Sequence, residues 1–243
     1  MDKKILVLEQ KDSPWLPLLK EFFEDTSSVP YFFHQSSLAG AFLQKETPHI
    51  FFGRPEMLSL ALSQKLKVLR QANPELRFFQ LEDSDKNSPL PFDASFKELL
   101  TRSQFQKELV QHLVYPEVIK VLVVDDEQEI GTLIRDFLES RVSPAFGVEW
   151  TDDGKKGLKW IEKGKYDVVV LDVKMPILDG REVYREIVSR KYKIPVIIFF
   201  DAISGDEIIQ IHKIGRPTIV EKGFRYSAMP EMMALIKKKA YFG

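Results

Sequence analysis

Short apolar runs alternate with stretches of helical periodicity along the whole chain, the rhythm of βα units around a parallel sheet. In the second half, residues 118–124 are almost continuously apolar, which is the pattern of a strand buried on both faces. Further strands are predicted at 148–151, 167–171, 195–200 and 218–220, with helices at 128–140, 153–163, 180–190, 206–212 and 226–239. The first half repeats the outline, with strands at 5–8, 31–33, 50–52 and 77–81 and a short fifth candidate at 90–92. Helices fit 15–24, 38–45, 58–70 and 96–114, while the polar, proline-containing stretch 82–91 leaves little room for another. Proline at Tyr115-Pro116-Glu117 stops the long helix, so two tandem domains are expected, 1–115 and 118–243. Each is an α/β domain with a doubly wound parallel sheet.

Composition narrows the class without changing that outline. With 243 residues, 44% hydrophobic and 29% charged, the chain has the make-up of an ordinary globular protein. Cysteine is absent, which excludes disulfides, thiolate metal sites and a cysteine nucleophile. Net charge is −1 overall, −2 over residues 1–117 and +1 over 118–243, so neither half has the basic excess of a nucleic-acid-binding domain. Only four apolar residues, Ile5 to Leu8, follow the charged N-terminus; a signal peptide needs about 7–15. No run approaches the ~20 apolar residues that cross a bilayer. The expected compartment is the cytoplasm, with no membrane partner.

In an open parallel sheet, chemistry gathers beyond the carboxyl ends of the strands, at the switch point of strand order. After the first strand of the second half come Asp125 and Asp126, after the third Asp172, and after the fifth Glu221 and Lys222. If the first and third strands are neighbours, three carboxylates converge. Crowded carboxylates raise one another's pKa unless a cation sits among them, and an oxygen-only cluster suits Mg²⁺. A lysine at the rim would hold an anionic group that the metal also touches, and one aspartate could then act as nucleophile. Singly, each residue reads as well as a helix cap, a turn opener or a surface cation. It is their joint placement that carries the argument.

The run 121–127 (VLVVDDE), the run 168–180 (VVVLDVKMPILDG) and Val220-Glu221-Lys222 resemble the receiver domain of two-component response regulators. The spacings fit too, with 46 residues from Asp126 to Asp172 and 50 from Asp172 to Lys222. The resemblance covers 118–243 and implies a flavodoxin-like (βα)5 fold. By it, Asp172 is the residue phosphorylated by a sensor histidine kinase or phosphotransfer protein, and Lys222 contacts the phosphoryl oxygens. Mg²⁺ would be held by Asp126, Asp172 and the backbone carbonyl of Lys174, with Asp125 acting mostly through water. Gly180 would relieve backbone strain in the loop over the site.

Three positions depart from the family pattern. A Thr or Ser whose hydroxyl bonds the phosphoryl group is replaced by Phe200, which has no hydrogen to donate. A one-residue bulge would instead present Asp201, which repels a phosphoryl group. The aromatic switch residue is replaced by Ile219, and the proline after the lysine by Gly223. The usual switch therefore does not carry over. The first half resembles a receiver that has lost its chemistry: Glu9-Gln10 replaces the acidic pair, Gly53-Arg54-Pro55 follows the third strand, and Phe92-Asp93 stands where the lysine would be sought.

Other signals read as structural. His34, His49, His112 and His212 are scattered, with His112 expected on a helix; no glycine-rich phosphate loop is present. Lys237 to Lys239 read as a solvated helix end, and Tyr31–Phe33, Phe51-Phe52 and Phe78-Phe79 as core strands. The leading expectation is a cytoplasmic response regulator taking phosphate on Asp172 with Mg²⁺. It would not be an enzyme beyond its own phosphotransfer and dephosphorylation. Output would pass through a downstream protein partner, with no DNA-binding or enzymatic module, and a homodimer is a candidate assembly. The rival is a non-phosphorylated scaffold of two binding modules. A dehalogenase-type phosphatase is disfavoured, because Lys174 stands where that family needs a second aspartate.

Overall fold

The computed structural model describes residues 3–82, 88–96, 100–202, 204–223 and 225–243, the side chains of 225–227 excepted. The chain divides into two compact units, Met1–Val114 with Phe242 and Tyr115–Tyr241 with Gly243. The first runs β1 (Lys4–Leu8), α1 (Trp15–Phe23), β2 (Val29–Phe33), α2 (Ser36–Phe42), β3 (Ile50–Gly53), a 3₁₀ turn at Pro55–Met57, α3 (Leu60–Ala72), β4 (Arg77–Leu81), β5 (Ala94–Phe96) and α4 (Arg102–Leu109). The second runs β6 (Val118–Val124), α5 (Gln128–Glu139), β7 (Ala145–Thr151), α6 (Gly154–Glu162), β8 (Val168–Asp172), α7 (Gly180–Ser189), β9 (Val196–Phe200), α8 (Gly205–Ile214), β10 (Thr218–Glu221) and α9 (Arg225–Phe242).

Both sheets are fully parallel, ordered β2-β1-β3-β4-β5 and β7-β6-β8-β9-β10. Each unit thus has the flavodoxin-like order 2-1-3-4-5, with its switch point between the first and third strands. The unbroken apolar run of β6 follows from this placement. Ile119, Val121 and Val123 face one buried cluster with Ile130 and Ile134 of α5 and Ile236 of α9. Leu122 and Val124 face the other, with Leu158 of α6 and Val183 and Ile187 of α7. Each such side chain contributes about 1.5–3 kcal/mol on burial.

The first unit has a core rich in aromatic rings. Phe52 lies 5.2 Å from Phe79 and Phe96 lies 5.0 Å from Phe105, centroid to centroid, with Trp15 6.0 Å from Phe105. Phe51 and Phe78 are fully buried as well, whereas Tyr31 to Phe33 on the edge strand β2 are only partly covered.

Several predicted boundaries are corrected. The fifth strand of the first unit is Ala94–Phe96 rather than 90–92, pairing Phe96 with Leu81. The helix expected from 96 begins only at Arg102, where Thr101 and Gln104 form a reciprocal capping box. It ends at Leu109, so His112 lies beyond it, edge-on to Phe79. Residues 83–87, within the stretch expected to lack a helix, lie outside the described residues. Lys237, Lys238 and Lys239 are buried, not solvated. Long lysine stems cover apolar surface readily, and the Lys237 ammonium stands 5.8 Å over the Tyr115 ring.

Candidate functional site

The strand register brings the ends of β6, β8, β9 and β10 to one edge of the second sheet. Val124 pairs with Leu171, Asp172 with Phe199, and Glu221 with Phe200. The residues immediately beyond therefore meet. One carboxylate oxygen from each of Asp125, Asp126 and Asp172 lies within 4.8 Å of the other two; Asp125 and Asp172 are buried and Asp126 is exposed. The Lys222 ammonium is buried among them, 3.0 Å from Asp125 Oδ2 and 3.1 Å from Asp172 Oδ1. It is also 3.1 Å from Glu127 Oε1 and 3.9 Å from Asp201 Oδ2. These groups surround a cavity of about 150 Å³ lined by Asp126, Glu127, Asp172, Lys174, Phe200, Asp201, Ala202 and Lys222.

Local backbone structure fixes each group. The Lys222 amide donates to the Phe200 carbonyl (2.6 Å), and Gly223 then turns the chain at a φ of +47°, a region that favours glycine. Asp125 accepts the Glu127 amide at Oδ1 (2.9 Å), while its carbonyl accepts the Trp150 indole N–H (2.9 Å). Asp179 caps α7 by accepting the Glu182 amide (3.0 Å). Gly180 serves space rather than strain relief, which corrects the expectation. A Cβ there would lie 1.8 Å from the Asp172 carbonyl oxygen, and its φ is not in the left-handed region. The left-handed residue of this loop is Ile177, at φ +72° and 87% exposed. Across the cavity mouth, the Lys174 ammonium donates to the Ala202 carbonyl (2.7 Å).

Burial dominates the electrostatics. It pushes the Asp125 carboxyl up to about 6 despite the opposing pull of Lys222, and pushes Asp172 upward in the same way. For Lys222, burial acts to lower the pKa, but Asp125 and Asp172 outweigh it and hold the ammonium protonated. Two buried carboxylates that resist ionisation, beside a third that is exposed, form an oxygen-only donor set that a hard divalent cation fits. A cation would relieve the repulsion that the single lysine leaves.

The structure thus gathers Asp125, Asp126, Asp172 and Lys222, with Lys174 at the rim. Phe200 and Asp201 also line the cavity, whereas Ile219 packs against the core. Glu127, to which the sequence motif assigns no role, is a further participant, paired with Lys222. Its signal was its place directly after the acidic pair and one residue before α5.

At the corresponding edge of the first unit, the described residues form an ion-pair cluster. Glu9, fully buried, accepts the Arg54 guanidinium at 2.6 Å, and Arg54 also bonds Glu82. Burial raises the Glu9 pKa even against Arg54. Gly53, not a carboxylate, ends β3. With β5 ending at Phe96, the residue that follows in sequence is Lys97, not Phe92-Asp93; it lies outside the described residues.

The sequence profile of the response regulator receiver domain matches residues 121–234. The transcriptional regulatory protein RprY of Bacteroides fragilis is 31% identical over 108 residues, covering 44% of each chain. The alkaline phosphatase synthesis transcriptional regulatory protein PhoP of Bacillus subtilis is 38% identical over 95 residues, 37% of this chain and 38% of that one. The chain therefore spans less than half the length of these relatives. Among solved structures, the response regulator domain of Thermotoga maritima CheB is 24% identical, with a TM-score of 0.47, over 52% of this chain and 98% of that one. The second unit of this protein belongs to the receiver domain family of two-component response regulators, a family of signalling modules. Among the described residues, no helix is long and apolar enough to cross a membrane.

Proposed function

We propose that the second unit accepts a phosphoryl group on Asp172 from a phosphohistidine of a sensor kinase or phosphotransfer protein. An Asp172 carboxylate oxygen attacks phosphorus, and the bond from phosphorus to the histidine nitrogen breaks with its electron pair leaving on the imidazole. Asp125, Asp126, Asp172 and the Lys174 carbonyl are the residues that would hold Mg²⁺, which when bound supplies positive charge to offset the incoming anion. Lys222 pairs with the phosphoryl oxygens and keeps Asp172 oriented. The observation that carries this reading is the buried Lys222 ammonium 3.0 Å from Asp125 and 3.1 Å from Asp172, beside three carboxylates able to share one ion.

No external substrate is turned over; at most the phosphoaspartate is lost again to water. Output passes through protein contact, and the first unit, a receiver-like domain in which Arg54 pairs with Glu9 and Glu82, contributes a binding surface. The test is incubation with Mg²⁺ and acetyl phosphate, followed by intact mass. One phosphoryl group is expected on the wild type and none on Asp172→Asn. An unmodified wild type would reject the proposal.

Phe200 favours a second reading, a scaffold that binds partners without phosphorylation. It predicts equal partner affinity for wild type and Asp172→Asn with phosphodonor present; a clear difference would count against it.

A further inference from the structure

An ammonium group has three hydrogens to donate. In this pocket Lys222 has three carboxylates at bonding distance: Asp125 at 3.0 Å, Asp172 at 3.1 Å and Glu127 at 3.1 Å. Asp201 stands beyond bonding reach, at 3.9 Å. The three bonded partners are unequal. The side chains of Asp125 and Asp172 are 2% and 6% exposed, while that of Glu127 is 36% exposed and can swing into water at small cost. Phosphorylation consumes the carboxylate charge of Asp172 itself but brings phosphoryl oxygens of greater negative charge to Lys222, against the two carboxylates that stay there. Of these, Glu127 can leave for water, while Asp125 would be stranded as a buried charge.

We infer that Glu127 is a built-in competitor for Lys222, bonded to the lysine in the unmodified protein and displaced when Asp172 carries a phosphoryl group. This rests on the phosphoacceptor reading above and adds its regulation. The exchange also gives the pocket an outlet. Glu127 is the N-cap position of α5, its amide donates to Asp125, and its side chain makes no capping bond. Its release therefore acts on the first turn of α5. With Phe200 offering no hydroxyl and Ile219 no aromatic ring, this contact exchange takes over the part of the missing switch. Glu127 is thus a positioning residue, acting through Lys222.

The experiment compares wild type, Glu127→Gln and Glu127→Ala by calorimetric titration, first with Mg²⁺ alone and then with beryllofluoride at saturating Mg²⁺. Removing a competing charge-assisted bond predicts beryllofluoride binding about 3- to 10-fold tighter in Glu127→Ala, with Glu127→Gln intermediate. Mg²⁺ alone should bind no tighter in either variant, since each loses a negative charge near the cation. A general loosening of the fold would not improve anion binding while sparing or weakening cation binding. Hydrogen exchange gives the second readout: beryllofluoride should raise exchange at amides 128–131 in wild type and leave them unchanged in Glu127→Ala. Equal or weaker beryllofluoride binding in folded Glu127→Ala would overturn the inference while leaving the phosphoacceptor reading intact. Mg²⁺ binding with no beryllofluoride binding in any of the three proteins would instead remove that reading, and the inference with it.

Discussion

Ile177 is a β-branched residue held at φ +72°, where such side chains crowd their own backbone at a cost of about 1–2 kcal/mol. Being 87% exposed, it gains little packing in return. Ile177→Gly should therefore stabilise the second unit by about 0.5–1 kcal/mol, read as a higher urea midpoint at unchanged slope. Asp125 gives a pH prediction. Its folded-state pKa, about 6, lies above the ordinary 3.8, so the folded protein holds this proton more tightly than the unfolded chain does. This carboxyl alone thus favours folding at low pH, and that contribution is lost as pH rises from about 4 to about 6. Cation binding runs the other way, because a protonated carboxyl is a poor ligand. Apparent Mg²⁺ affinity should fall as pH drops below about 6, and a profile flat from pH 7 to 5 would contradict the burial argument.

Among the elements, the joint between β8 and α7 leaves no room for a side chain at Gly180. A Cβ on Gly180 would lie 1.8 Å from the Asp172 carbonyl oxygen, so Gly180→Ala must push the strand end and the helix start apart. The expected outcome is a loss of 3 kcal/mol or more in stability on the order of severe steric substitutions, with weakened Mg²⁺ binding by calorimetry. This joint was legible in the sequence as Asp179-Gly180 opening a helix, although the reason proposed, strain relief, was not the physical one. In the second unit β6, β8 and β9 are legible because their apolar runs are long, whereas β7 begins at Ala145, three residues before the expected 148, because its pattern is broken by Gly147 and Glu149. Less could be read at the end of the first unit, where Ala94–Phe96 offers only three residues of pattern and Phe96 fits a helix stripe equally well. Burial of Lys237 to Lys239 was hidden too, since a lysine's stem and its charge carry opposite signals and sequence shows only the charge. Glu127 escaped for a related reason: a carboxylate beside a helix start has a sufficient local explanation, and only the fold reveals Lys222 next to it.

At the scale of the whole molecule, two units with the same strand order treat the same location differently. In the second, three carboxylates and one lysine leave charge to be balanced; in the first, the Arg54 guanidinium sits against buried Glu9 and bonds Glu82. Calorimetry should accordingly find one Mg²⁺ per chain, lost in Asp126→Asn, and a second site of similar affinity would contradict this assignment. Removing the guanidinium strands a buried carboxylate, so Arg54→Ala should destabilise the first unit by about 3–5 kcal/mol, read by thermal unfolding. Arg54 also has a consequence for how the two halves meet their surroundings. A positive charge tethered by peptide bonds cannot be stripped by a chelator or diluted away, whereas a dissolved ion can. Treatment with EDTA should soften one half of this protein and leave the other untouched, making the first unit a fixed internal standard against which the responsiveness of the second can be judged.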